Sequence, residues 1–192
     1  MLTLDDFTEV GALLTGHFRL SSGLHSDRYL QCARLLMWPE RAAEAGRELA
    51  AKLAGASPQA VVSPAVGGIV IGHEVARALG VRALFAERKD GAFLLRRGFS
   101  LFPGERVAVV EDVFTTGGST REVCAAVESA GGTVVAVGSI VDRGLPPGSF
   151  PVPSSSLLLL DVPAWPEEGC PLCARGEEID SPGSRTLTNP RA

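Results

Sequence analysis

From residue 60 onward, short runs of branched aliphatic residues alternate with helix-forming stretches, and this alternation constrains the fold more than any other feature. Residues 60–63, 81–86, 106–111, 133–141 and 156–162 read as strands. Residues 68–79 and 119–130 read as helices, the first stopped by Gly80 and the second by Gly131 and Gly132. Strand–helix–strand repetition predicts an α/β fold, a mostly parallel twisted sheet flanked by helices. Upstream, Pro39 suits the first turn of a helix over 40–54 that ends at Gly55. Residues 3–15 read as a short amphipathic helix offering Leu4, Phe7, Leu13 and Leu14 for burial, and 16–38 as strands joined by turns. Residues 87–105 are polar and basic with interspersed glycines, which predicts an exposed hairpin or long loop. At 192 residues the chain reads as one domain. An N-terminal segment 1–38 precedes a core 39–162, which carries a mobile loop at 87–99, and 163–192 form an irregular tail.

Bulk properties narrow the classes of partner. A net charge of −4 points to neither nucleic acid nor a membrane surface. The longest aliphatic run, 157–160, suits a buried strand and falls far short of the roughly 20 residues a membrane helix needs. No basic segment followed by an apolar run opens the chain, so a cytoplasmic protein is expected. Cys32 and Cys124 stand alone, while Cys170 and Cys173 form a CxxC, which is no secreted disulfide framework. That CxxC supplies two of the four donors a zinc site needs. Two copies across a dimer could complete one; inert, buried thiols are the alternative.

The chemistry is concentrated in Val107-Ala-Val-Val-Glu-Asp-Val-Phe-Thr-Thr-Gly-Gly-Ser-Thr120. An apolar strand runs into two acids, Glu111 and Asp112, then a loop of hydroxyl and glycine residues, then a helix. The loop falls at the carboxyl end of a parallel strand, where open α/β sheets place ligands. Gly117 and Gly118 leave backbone N–H groups unobstructed, and Thr115, Thr116, Ser119 and Thr120 add hydroxyls. The positive end of the helix dipole completes a phosphate-monoester site. Two carboxylates beside a phosphate cradle would repel a polyphosphate, but they suit sugar hydroxyls and positive charge developing on a ribose ring. Neither GxxxxGK[ST] nor GxGxxG is present. A merely structural strand–helix turn is the alternative, at odds with the cost of an acidic pair at a strand end.

Glu-Asp-Val-x-Thr-Thr-Gly-Gly-Ser resembles the phosphoribosyl pyrophosphate (PRPP) motif of type I phosphoribosyltransferases. The resemblance implies that Glu111 and Asp112 bind the ribose hydroxyls. It assigns PRPP to Val113, Phe114, Thr115, Thr116, Gly117, Gly118 and Ser119 as well, the loop taking the 5-phosphate. It also implies Mg²⁺ as cofactor, carried mainly by PRPP rather than by protein ligands, and a homodimer.

Four further stretches match in family order. Residues 16–29 are similar to the N-terminal segment of orotate phosphoribosyltransferases, which implies that Ser22, Gly23, Ser26 and Tyr29 lie near the base, with Ser22, Tyr29 and Thr115 contacting orotate. Ala65, Val66, Gly67 and Gly68, before a helix, match the pyrophosphate loop; a plain helix cap is the alternative. Arg143 follows Asp142 at a strand end and matches the family's orotate-binding arginine, whose planar fork suits a carboxylate; a surface salt bridge is the alternative. Residues 87–98 resemble the hood loop that closes over pyrophosphate, with Arg88 and Lys89 as its catalytic cations; a solvated basic hairpin is the alternative.

Three departures stand out. Ala92, Phe93 and Leu94 occupy the hood where the family has a second lysine and a histidine, and Ser21 and Gly67 replace two further lysines. Arg96 and Arg97 are candidate substitutes. The joint match implies transfer of ribose 5-phosphate from PRPP to orotate in pyrimidine (UMP) biosynthesis. A transferase for a purine base and a non-catalytic PRPP sensor are the rivals.

Overall fold

The computed structural model describes residues 1–20 and 22–182, so Ser21 and residues 183–192 lie outside the description. Six strands form one sheet in the order β5-β4-β3-β6-β7-β8. These are β3 (Ala60–Pro64), β4 (Arg82–Lys89), β5 (Ala92–Leu95), β6 (Arg106–Phe114), β7 (Thr133–Asp142) and β8 (Ser154–Leu159). All neighbours are parallel except β5, which turns back antiparallel on β4. The β4–β5 hairpin is the exposed segment expected from 87–105; Asp90 and Gly91 make its turn with positive φ.

Strand residues sort between two hydrophobic layers with the period of two that a sheet imposes. On β6, Ala108 and Val110 face one layer, while Val107 and Val109 face the other. The first layer is covered by α1 (Leu4–Glu9), α2 (Cys32–Leu36), α3 (Pro39–Leu53) and α4 (Gly68–Leu79) through Phe7, Leu35, Leu49, Ile71 and Val75. The second is covered by α5 (Gly118–Ser129) through Val123 and Val127, with Phe93, Phe114 and Phe150.

The N-terminal region departs from expectation. The helix read over 3–15 stops at Glu9, because Gly11 takes φ 65 and the chain reverses. Leu13 and Leu14 begin β1 (Leu13–Arg19), which pairs antiparallel with β2 (His25–Leu30) in a separate two-stranded sheet. Helix α2 lies within a segment expected to be strands and turns. At the end of α3 the left-handed residue is Ser57, reached through a 3-10 turn over Ala54–Ala56, rather than Gly55.

Over the described residues 163–182 the tail is irregular apart from a 3-10 turn, Glu167–Gly169, and a short helix α6, Pro171–Ala174. It docks along the β1–β2 hairpin. Ser26 Oγ donates to the Pro163 carbonyl at 2.7 Å, and His25 and Trp165 exchange backbone hydrogen bonds of 2.8 Å. Asp180 N donates to His17 O at 2.8 Å. Among the described residues no helix is long and apolar enough to cross a membrane.

Candidate active site

At the carboxyl ends of β3, β6 and β7 the 65–68 turn, the Glu111–Asp112 pair, the loop into α5 and Arg143 lie together. Glu111 and Asp112 lie near the end of β6. Glu111 is buried, and its pKa is pushed up to about 9, first by loss of solvent and then by the neighbouring Asp112 charge. Asp112 accepts a hydrogen bond from Val113 N at 2.9 Å. Phe114 ends the strand, but its ring is buried against Phe150 at 5.1 Å between centroids, so only its backbone is available to a ligand. Val113 is likewise half-buried against the first core layer.

The loop that follows exposes Thr115, Thr116 and Ser119 and leads directly into α5. Gly117 precedes the helix with φ 71, where a Cβ would come within 3.0 Å of both Arg121 Nη1 and Phe150. Arg121 itself donates to the Thr116 carbonyl at 2.6 Å and holds the loop's outer side. The result is a cradle of exposed hydroxyls at a helix N-terminus, with the Gly118 N–H donating to Thr116 Oγ1 at 3.4 Å.

The 65–68 turn closes on this cradle from β3. A Cβ on Gly67 would stand 2.8 Å from Asp112 Oδ2, so glycine at this position lets the turn approach the acid pair. A lysine stem starting there would have to displace that carboxylate. The turn contains a cis Ala65–Val66 peptide, and Val66 is 82% exposed at its tip.

Arg143 follows β7 and is tied beside the cradle, its N–H donating to Phe114 O at 2.9 Å. Its side chain is half-buried, its Nε has no hydrogen-bond partner, and burial lowers its pKa from the ordinary arginine value. No acidic side chain pairs with it among the described residues, which sets aside the surface salt bridge. Asp142 instead accepts from Gly144 N and Leu145 N and shapes the turn behind it.

Helix α2, which follows the β1–β2 hairpin, reaches the acid pair. Cys32, at the start of α2, has its thiol 3.9 Å from Asp112 O, and its pKa is raised by burial and by Asp112 and Glu111. Tyr29 is half-buried, with its hydroxyl donating to Gln31 Oε1 at 3.2 Å. Ser22 is exposed at the hairpin tip. Ser26 departs from expectation: it is fully buried and spends its hydroxyl on Pro163, so its work is to anchor the tail.

The hood cations are not poised over the cradle. Arg88 pairs with Glu122 of α5 at 2.8 Å and stacks over Phe93 at 4.3 Å. Arg97 is engaged by Glu87 at 2.8 Å, which lowers the Glu87 pKa. Lys89 and Arg96 make no ion pair among the described residues. The departure at Ser21 falls outside the described residues. A separate groove of about 680 Å³, lined by Gln59, Arg82 and Glu105, lies at the opposite, amino-terminal ends of the strands.

Comparison with known proteins agrees with this geometry. A phosphoribosyl transferase domain matches residues 33–147. The chain is 52% identical over 181 residues to an orotate phosphoribosyltransferase of Pelotomaculum thermopropionicum, covering 94% of this chain and 95% of that one. It is 52% identical over 179 residues to the orotate phosphoribosyltransferase of Thermotoga maritima, covering 93% and 96%. The crystal structure of the Aeropyrum pernix orotate phosphoribosyltransferase superposes with a TM-score of 0.68 at 28% identity, covering 83% of this chain and 94% of that one. The chain therefore belongs to the phosphoribosyltransferase family, in the branch of the orotate phosphoribosyltransferases.

Proposed function

We propose that this enzyme transfers ribose 5-phosphate from PRPP to orotate, giving orotidine 5′-monophosphate and pyrophosphate in the cytoplasmic synthesis of UMP. The observation that carries the choice of base is Arg143, a half-buried guanidinium with an unpartnered Nε, held by its backbone beside the phosphate loop. A purine lacks the carboxylate that such a group would take.

The 5-phosphate sits on the Thr115, Thr116, Gly117, Gly118 and Ser119 cradle, and pyrophosphate on the 65–68 turn. Glu111 and Asp112 accept from the ribose hydroxyls, and Asp112 stabilises the oxocarbenium-like charge that develops as the bond from C1′ to pyrophosphate breaks. Glu111, with its pKa at about 9, is protonated near neutral pH. The acid pair therefore repels the incoming polyanion less than two carboxylates would. The oxygen donors around Asp112 fit a hard cation such as Mg²⁺, which would be held chiefly by PRPP and would neutralise charge on the departing pyrophosphate. Arg143 grips the orotate carboxylate and directs the ring nitrogen at C1′, while Tyr29 and Ser22 border the base.

Arg88 and Lys89 are the hood's cations for pyrophosphate. Arg88 must leave Glu122 to reach it, so the described hairpin corresponds to an open hood. We extend the reading to a homodimer, in which the hairpin delivers Lys89 across the interface; sedimentation at assay concentration tests this. The catalytic proposal is tested by absorbance at the orotate band with purified protein. Loss of the band only when protein, PRPP and Mg²⁺ are all present is expected. Turnover of adenine or hypoxanthine without orotate turnover would replace the base assignment.

A further inference from the structure

Away from the acid pair, four side chains converge that the transfer reaction does not use. His17 lies on β1, His25 on β2, Cys170 caps α6 and Cys173 lies within it. One donor atom from each falls within 4.8 Å of every other. His17 Nε2 is 3.0 Å from His25 Nδ1, 3.5 Å from Cys170 Sγ and 3.6 Å from Cys173 Sγ. His25 Nδ1 is 3.2 Å from Cys173 Sγ. Both imidazoles and Cys170 are buried, and all four cysteines of the chain are free thiols.

A hydrogen-bond cluster does not account for this arrangement. His17 Nδ1 lies 2.8 Å from the Glu177 carbonyl, which can only accept, so Nδ1 carries the hydrogen and Nε2 presents a bare lone pair. Three separate groups crowd that lone pair, which can serve one donor well. A cation at the centre resolves the crowding. Zinc–nitrogen bonds of about 2.0–2.1 Å and zinc–sulfur bonds of about 2.3 Å place tetrahedral N–N and N–S edges at about 3.3 and 3.6 Å. The observed N–N separation of 3.0 Å and N–S separations of 3.2, 3.5 and 3.6 Å lie within about 0.4 Å of these values, at or just below them. The carbonyl behind His17 is the outer partner that fixes the tautomer and ring orientation of a metal-binding histidine.

We propose that His17, His25, Cys170 and Cys173 form a structural zinc site within a single chain. Two imidazoles and two thiolates make a closed tetrahedral set that favours zinc over hard cations. The CxxC therefore needs no second copy of the chain; its missing half is on the N-terminal hairpin, about 150 residues away in sequence. The ion fastens the tail to the hairpin. The assignment is independent of which base the enzyme uses.

The test starts from untagged protein purified without chelator. Elemental analysis should find one zinc per chain. Cobalt(II) exchanged into the protein should give the intense visible bands of a tetrahedral site and a thiolate-to-cobalt charge-transfer band. Chelation should lower the thermal midpoint, and added zinc should restore it. Cys173→Ser should lose the charge-transfer intensity and the metal, whereas His73→Ala, at an exposed histidine on α4, should retain both. Because Cys173→Ser could fail to fold, thiol titration of the parent supplies a second readout: two thiols should become reactive only after zinc is stripped. Protein that holds no zinc, shows no thiolate–cobalt band and has an unchanged midpoint with added zinc overturns the proposal. So does a mass showing Cys170 and Cys173 joined as a disulfide in freshly purified, active protein.

Discussion

At the scale of single residues, Glu111 concentrates the conflict between stability and function. Its pKa rises from the ordinary glutamate value to about 9 on folding, chiefly through burial. The unfolded chain releases this proton near pH 4.5, whereas the folded chain holds it until about pH 9. Folding therefore becomes less favourable as pH climbs through that window, since the folded state binds the extra proton. Glu111→Gln removes the cost while keeping the shape. Its thermal midpoint should exceed the parent's by a margin that widens from pH 5 to pH 9, while its PRPP turnover falls; an equal margin at both pH values would show that Glu111 ionises normally. Arg143 invites the complementary experiment. Charge-assisted hydrogen bonds contribute about 1.5–3 kcal/mol each, so Arg143→Ala should raise the orotate KM about 10- to 100-fold and leave the PRPP KM nearly unchanged. Equal changes in both would remove orotate from Arg143.

At the scale of elements, legibility followed contiguity. The β6–loop–α5 unit could be read directly, because strand, acids, glycines and helix follow one another within residues 106–129. Gly117 tests how tightly that unit is built. A side chain there meets both a positive φ and contacts at 3.0 Å with Arg121 and Phe150. Backbone strain of this kind costs about 1–3 kcal/mol, so Gly117→Ala should reduce kcat/KM for PRPP about tenfold or more. The far-ultraviolet circular dichroism should not change. A kcat/KM within twofold of the parent would mean that the loop tolerates the shift and does not set phosphate geometry. The N-terminal helix was misread for the opposite reason. Leu4, Phe7, Leu13 and Leu14 offer one apolar face to a helix, but Gly11 breaks the chain direction and β2 supplies a pairing partner that no local pattern announces. Helix α2, five residues long, leaves too short a pattern to register. The hood hairpin was legible as an exposed basic segment, yet the engagement of Arg88 by Glu122 depends on α5 packing, which sequence spacing does not reveal.

At the scale of the whole molecule, the proposed base side of the site is assembled from both ends of the chain. Ser26 reaches Pro163 across 137 positions, and His17 reaches Glu177 across 160. Composition marked the tail as irregular, and its described part, 163–182, largely is; only the three-dimensional structure shows that it buries Cys170 and Leu172 and braces the hairpin bearing Ser22 and Tyr29. The proposed phosphate cradle, by contrast, rests on β3, β6, α4 and α5, whose core is closed without the tail. Ending the chain after Val162 should therefore separate the two halves of the site. The shortened protein should keep its sheet by circular dichroism and bind PRPP with Mg²⁺ within about threefold of the parent by calorimetry. Its orotate affinity should fall by tenfold or more, since the hairpin loses its brace while Arg143 and the loop stay in place. If PRPP and orotate affinities fell together with the sheet intact, the tail would be supporting the cradle through the core. If neither fell, the hairpin would hold its shape through β1–β2 pairing and its contact with α1 alone, and the Ser26–Pro163 bond would be a consequence of the fold rather than a support for the base pocket.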